Sequence, residues 1–108
     1  VGFIRDLPPD LVAAFRATLE ELSEADLLLH VVDASDPMLE RKMDAVGRVL
    51  TELGLQSIPR VLVLNKADIV DETQIESLRL RFDGIPVSAL KRQGLDRLLA
   101  AAEDLIQR

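Results

Sequence analysis

At 108 residues the chain is long enough for one domain, and its 48% hydrophobic content can fill a core. Aromatics amount to 3%, with no Trp or Tyr, so the core is aliphatic and stacking platforms for single-stranded nucleic acid are not expected. A formal charge of −6 argues against DNA or an anionic membrane as a partner through the overall field, and the lack of cysteine removes disulfides, thiolate metal sites and thiol nucleophiles.

No apolar run reaches transmembrane length and no secretory signal opens the chain, so a cytoplasmic protein is the expectation. The chain begins Val1-Gly2-Phe3-Ile4-Arg5-Asp6-Leu7-Pro8-Pro9, without Met and in what reads as a loop. Such a start suggests a fragment of something larger; a processed or excised chain would look the same.

Over 9–23, Leu11, Val12, Phe15, Leu19 and Leu22 recur at helical spacing, with Pro9 and Asp10 suited to the first turn. Arg16, Glu20 and Glu21 form the polar face, which predicts an amphipathic helix packed on a sheet. The run 27–32, Leu-Leu-Leu-His-Val-Val, is short and almost wholly apolar, as in a strand covered on both faces. His30 within it would be a ligand or acid–base residue if partners accompanied it. No partner motif does, and a partly buried histidine bonded to a neighbouring carbonyl is the favoured reading.

Asp36 as N-cap and Pro37 at the first helical position predict a second helix, with Leu39, Met43, Val46, Leu50 and Leu53 on one face. Gly54 closes it with the residue type that tolerates a left-handed cap, and Gly47 inside it would mark close packing. Met38 and Met43 read as gap-fillers or edge contacts. After the Ser57-Ile58-Pro59 turn comes the apolar run 61–64, Val-Leu-Val-Leu, with the length and branching of a buried parallel strand.

That run stops at Asn65-Lys66-Ala67-Asp68, an Asn-Lys-x-Asp tetrad at the carboxyl end of the strand, where open α/β sheets place their ligands. A carboxylate presents two adjacent acceptors, and guanine presents two adjacent donors, N1–H and the exocyclic amine. Adenine lacks that pair, so Asp68 would select guanine. Three fixed residues recur by chance on the order of once per hundred chains of this length. A strand end followed by a solvated loop with a capping aspartate is the plainer alternative.

Asp71 to Gln74 then reads as a capping box, with Val70 and Ile75 as hydrophobic staple. Ile75, Leu78 and Phe82 give the helix one buried face, and Arg79 and Arg81 its solvated one. The stretch 84–88, Gly-Ile-Pro-Val-Ser, is a very short strand that Pro86 confines to an edge. Ser88-Ala89-Leu90 ends it. Gly94 opens a last helix with Leu95, Leu98, Leu99, Ala102, Leu105 and Ile106 on its apolar face. The alternation of helices and strands predicts an α/β fold, a parallel sheet with helices on both faces and right-handed crossovers.

Consecutive parallel strands usually lie side by side, so Asn65–Asp68 and Ser88–Leu90 would share one crevice. A base there would meet Asp68 on its Watson–Crick edge and the Ala89 N–H at guanine O6. Asn65 would brace the two loops, and the aliphatic stem of Lys66 would lie over the base plane.

These two motifs resemble the fourth and fifth motifs of translation-factor-class GTPases. With the opening 1–8, the stretch 11–21 and Ala25-Asp26-Leu27-Leu28-Leu29-His30-Val31-Val32-Asp33-Ala34-Ser35-Asp36-Pro37, the chain resembles the HflX family of ribosome-associated GTPases along nearly its whole length. The resemblance implies a three-layer P-loop-NTPase-like parallel sheet, here truncated to about three strands flanked by helices. It implies GTP/GDP as ligand, hydrolysis of GTP to GDP in the full protein, and the large ribosomal subunit as partner. Asn65, Lys66, Asp68, Ser88, Ala89 and Leu90 would then contact the nucleotide. Val1-Gly2 looks like the end of the third motif, with the Gly2 N–H meeting the γ-phosphate. Phe3 stands where many small GTPases put the glutamine that orients the attacking water, which an apolar side chain cannot do.

No Gly-x-x-x-x-Gly-Lys-[Ser/Thr] loop occurs, so residues 1–108 look like the carboxyl half of one G domain. The residues that would hold Mg2+ are expected upstream of Val1, no catalytic residue is assigned, and the chain alone is expected to be inactive as a GTPase. In the family's sheet the strand 27–32 lies beside the strand leading into the phosphate loop. Its open apolar edge predicts self-association of the isolated chain. Two other readings remain: a non-catalytic protein or ribosome interaction module with a vestigial nucleotide site, and a generic flavodoxin-like or receiver-like domain, against which the paired motifs speak.

Overall fold

The computed structural model describes Ala17 and residues 21–107. The opening loop with Gly2, and the predicted helix over 9–23 apart from Ala17 and its end, lie outside the described residues. That end is a single 3-10 turn, Glu21–Glu24. Three strands follow, β1 (Leu28–Asp33), β2 (Arg60–Asn65) and β3 (Ile85–Pro86), with helices α1 (Leu39–Glu52), α2 (Glu72–Phe82) and α3 (Leu95–Ile106). The sheet order is β1-β2-β3, and both pairings are parallel.

β2 is central, and its four apolar residues serve both faces. Leu62 and Leu64 join Val32, Ala34 and Leu39, with Met43 of α1 and Ile75, Leu78 and Phe82 of α2 packed against them. Val61 and Val63 join Val87 on the other face, under Leu95, Leu98 and Leu105 of α3. The result is α1 and α2, then the sheet, then α3. A parallel strand buried on both faces reads as an uninterrupted apolar run because it has no solvent side to mark. Two-residue β3 sits at the edge, as its proline requires, and the ladder continues through Val87 N–H to the Leu64 carbonyl at 2.9 Å.

β1 departs from expectation. It is not covered on both faces: Leu29 and Val31 are 51% and 58% exposed. They pair in register with Val61 and Val63, on the α3 side. α3 packs over β2 and β3, so among the described residues nothing covers that side of β1. Leu99 and Ile106, predicted to face the core, are 60% and 58% exposed for a related reason. Three strands offer α3 a narrow floor, which Leu95, Leu98 and Leu105 already occupy.

The start of α1 also differs. Asp36 accepts the Met38 N–H at 2.8 Å and its carbonyl accepts the Leu39 N–H, so Asp36 and Pro37 form a turn ahead of the helix and Met38 is the N-cap residue. The end is as read: Gly54 (φ 74°) donates to the Thr51 carbonyl and Leu55 to that of Leu50, while Leu50 and Leu55 pack together. This is a Schellman cap with its apolar contact. Gly47 meets no close neighbour, so packing among the described residues does not require it.

At α2 the Asp71 carboxylate accepts the Thr73 N–H at 2.8 Å, while Gln74 is exposed and does not complete the box. Val70 and Ile75 both pack on the core. Asp71→Ala should therefore cost about 1 kcal/mol. A lower midpoint in urea unfolding with an unchanged slope is the expected result, and an unshifted midpoint would contradict it. Arg79 pairs with Glu76 in the same helix, and Arg81 reaches Glu40 of α1 at 3.4 Å. Among the described residues no helix is long and apolar enough to cross a membrane.

Candidate functional site

Because the strands are parallel, Asp33, Asn65 and Ser88 emerge at one end of the sheet. Backbone bonds lock the three exits together. Ala34 N–H donates to the Asn65 carbonyl and Ala67 N–H to the Val87 carbonyl, both at 2.9 Å. Asn65 Oδ1 accepts the Ala89 N–H at 3.1 Å, so Asn65 does brace the two loops. This same bond occupies the N–H that sequence reasoning aimed at guanine O6.

Lys66 is left-handed (φ 65°), an uncommon conformation for a residue with a β-carbon. It turns the chain sharply off β2 into a 3-10 turn, Ala67–Ile69. The Lys66 ammonium then reaches back to Asp33 Oδ2 at 3.0 Å. Asp68 sits within the turn. Its side chain is only 8% exposed and makes no hydrogen bond among the described residues; Lys91 Nζ is 3.9 Å away.

The second loop is closed by reciprocal backbone bonds between Ser88 and Gln93, each 3.0 Å. Ser88 is buried, and its Oγ accepts the Lys91 N–H at 3.1 Å. Leu90 is 89% exposed at the tip of the loop. Gly2 lies outside the described residues. Thus Asn65, Lys66, Asp68, Ser88 and Ala89 are brought together, and Leu90 is carried beside them.

Two charged residues were not singled out from the sequence. Asp33 ends the neighbouring strand; an acid directly following an apolar run was the available signal. Hydrogen bonds from Ser35, then from Lys66, hold its carboxyl down at about 2. Lys91 follows the second motif directly. His30 is half-buried and its pKa is lowered, by burial first and by Arg60 second, so the ring is neutral at pH 7. No carbonyl bond to the ring is found among the described residues.

Among the described residues no three His, Asp or Glu side chains gather as a metal-binding group. A groove of about 690 Å³ between α1 and the end of α2 is lined by Ile58, Arg60 and Phe82, near the start of β2 and away from both motifs.

No protein-family model matches the chain. It is 48% identical over 103 residues to the GTPase HflX of Caldanaerobacter subterraneus subsp. tengcongensis, covering 95% of this chain and 23% of that protein. It is 50% identical over 101 residues to the GTPase HflX of Magnetococcus marinus, covering 93% and 23%. Against the GTPase HflX of Escherichia coli the figures are 53% over 72 residues, 67% and 17%. The chain spans about a quarter or less of the length of these curated relatives. Among solved structures, a probable GTP-binding protein EngB superposes with a TM-score of 0.62 at 21% identity, covering 94% of this chain and 70% of that one. The three parallel strands and their flanking helices therefore have the P-loop GTPase fold.

Proposed function

This chain belongs to the HflX family of GTPases, and on that premise we propose that it is the guanine-reading part of a G domain. Residues 1–108 would form the carboxyl half of that domain. In the whole protein this part would hold GTP or GDP for hydrolysis coupled to the large ribosomal subunit, with magnesium and the phosphates handled by other residues. The observation that carries the reading is the Asp68 carboxylate, sheltered, without a hydrogen bond among the described residues and 3.9 Å from Lys91 Nζ, beside the loop that Asn65 ties to Ala89. Asp68 would take guanine N1–H and the exocyclic amine, and the stem of Lys66 would cover the base. Ser88, through its buried bonds, would hold the loop that presents Ala89 and Leu90.

Base contacts alone, a few hydrogen bonds of about 1 kcal/mol net each, support an affinity near millimolar. The test is a titration of the chain with GDP, ADP and guanosine followed by amide chemical shifts. GDP and guanosine should move residues 65–68 and 88–90 at millimolar concentration while ADP does not. Equal weak binding of ADP and GDP would sink the guanine assignment.

One observation favours a second reading, a non-catalytic protein or ribosome interaction module with a vestigial nucleotide site: the Ala89 N–H is already donated to Asn65. The same titration separates the two. A guanine site in use must redirect that N–H, and the Ala89 amide would show one of the larger shifts. Among the described residues β1 is an open edge of the sheet, which supports self-association of the isolated chain, as sedimentation at rising concentration would show.

A further inference from the structure

The loop after β1 holds a carboxylate that the guanine reading leaves unused. Asp33 is the last residue of β1 and stands in register with Asn65. Its two oxygens have separate work. Oδ1 accepts the Ser35 N–H at 2.9 Å and the Ser35 hydroxyl at 2.6 Å, which fastens the carboxylate to its own loop. Oδ2 is left to the Lys66 ammonium at 3.0 Å, across the strand gap. The lysine arrives there because its left-handed backbone turns the chain out of β2 at that residue.

We propose that Asp33 is a positioning residue for guanine-nucleotide binding, tethering the Lys66 ammonium so that the lysine stem is held ready over the base. The proposal rests on the guanine reading above. A lysine stem has many rotamers, and fixing it only when the base arrives weakens binding; a tether already in place removes much of that cost. The pair is half-exposed, with Lys66 at 53% and Asp33 at 36%, so its direct contribution to folding is small. Its value lies in where it puts the lysine. Ser35 and Lys66 keep the carboxyl down at about 2, so the tether is charged throughout the neutral range.

The test is a double-mutant cycle on the full chain, with GDP titrated against wild type, Asp33→Asn, Lys66→Ala and the double variant, and ADP as control. Asp33→Asn should weaken GDP binding about fivefold, the upper end of what a half-exposed ion pair supplies. It should leave the unfolding midpoint near that of wild type and change nothing further once Lys66 is alanine. Asp33→Glu should recover part of the loss. Unchanged or tighter GDP binding by Asp33→Asn overturns the proposal, as does an equal loss in the Lys66→Ala background or a loss matched by a drop in folded fraction. A wild-type chain that binds GDP no better than ADP defeats the guanine reading itself and takes this role with it. A wild-type preference for GDP together with an unchanged GDP affinity in Asp33→Asn defeats the Asp33 role alone.

Discussion

Asp68→Asn is expected to turn the base preference from guanine to xanthine. The change replaces two acceptors with one acceptor and one donor. Guanine offers N1–H and an amine, so one of its donors would face the new amide N–H. Xanthine offers N1–H and a carbonyl, which the amide matches. A buried donor left without an acceptor costs about 1–3 kcal/mol. Sites built on such pairs discriminate by up to about 10⁴–10⁵ when the match is lost. The Asp68 side chain is only 8% exposed and makes no hydrogen bond among the described residues, so solvent cannot readily make good the mismatch. Guanine binding that starts near millimolar would then fall out of measurable range, while xanthosine diphosphate would bind. A variant that still prefers GDP to xanthosine diphosphate would show that Asp68 does not read the base.

Gly94→Ala is expected to be the most damaging small substitution in the second loop. Gly94 has φ 76°, and a β-carbon there would lie 2.3 Å from the Pro86 carbonyl oxygen and 3.2 Å from Val87 Cα. Both contacts are backbone, so no rotamer relieves them. Moving Pro86 and Val87 would in turn disturb Val87 N–H to Leu64 and Ala67 N–H to Val87, the bonds that attach β3 and the first loop. Left-handed strain plus a hard overlap should destabilise by about 3 kcal/mol or more. Gly54→Ala is the matched control. It has φ 74° with no neighbour within 4 Å of a β-carbon. It should cost only the conformational term, about 1–2 kcal/mol. Urea unfolding of both variants measures the difference. Equal destabilisation would mean that the loop gives way and the close approach is not a constraint.

Much of the fold was legible in the sequence because its signals are local. The apolar run 61–64 announced a buried central strand, and Pro86 an edge. Asp71 and Gly54 marked a helix start and a helix end through bonds to residues within a few positions. The meeting of the two motifs was legible too: Asn65–Asp68 and Ser88–Ala89 lie together at the strand ends, joined by the Ala89 N–H to Asn65 Oδ1 bond, as the spacing suggested. Where the reading slipped, it overextended a local rule. Asp36 and Pro37 look like a helix start, yet the Asp36 carboxylate closes a turn one step earlier. Leu99 and Ile106 share a helical face with Leu95, but the sheet beneath them is too narrow to receive them.

By itself, then, the sequence determined the α/β order and the apolar central strand that ends at Asn65. These depend on hydrogen bonds and side-chain periods that act within a few residues. The tertiary structure alone decided that Asp33 holds Lys66, that Asn65 takes the Ala89 N–H, and that one face of β1 is bare among the described residues. Those outcomes join residues far apart in the chain. They depend on strand register and on how much sheet each helix can cover, and neither quantity is written in any single stretch of sequence.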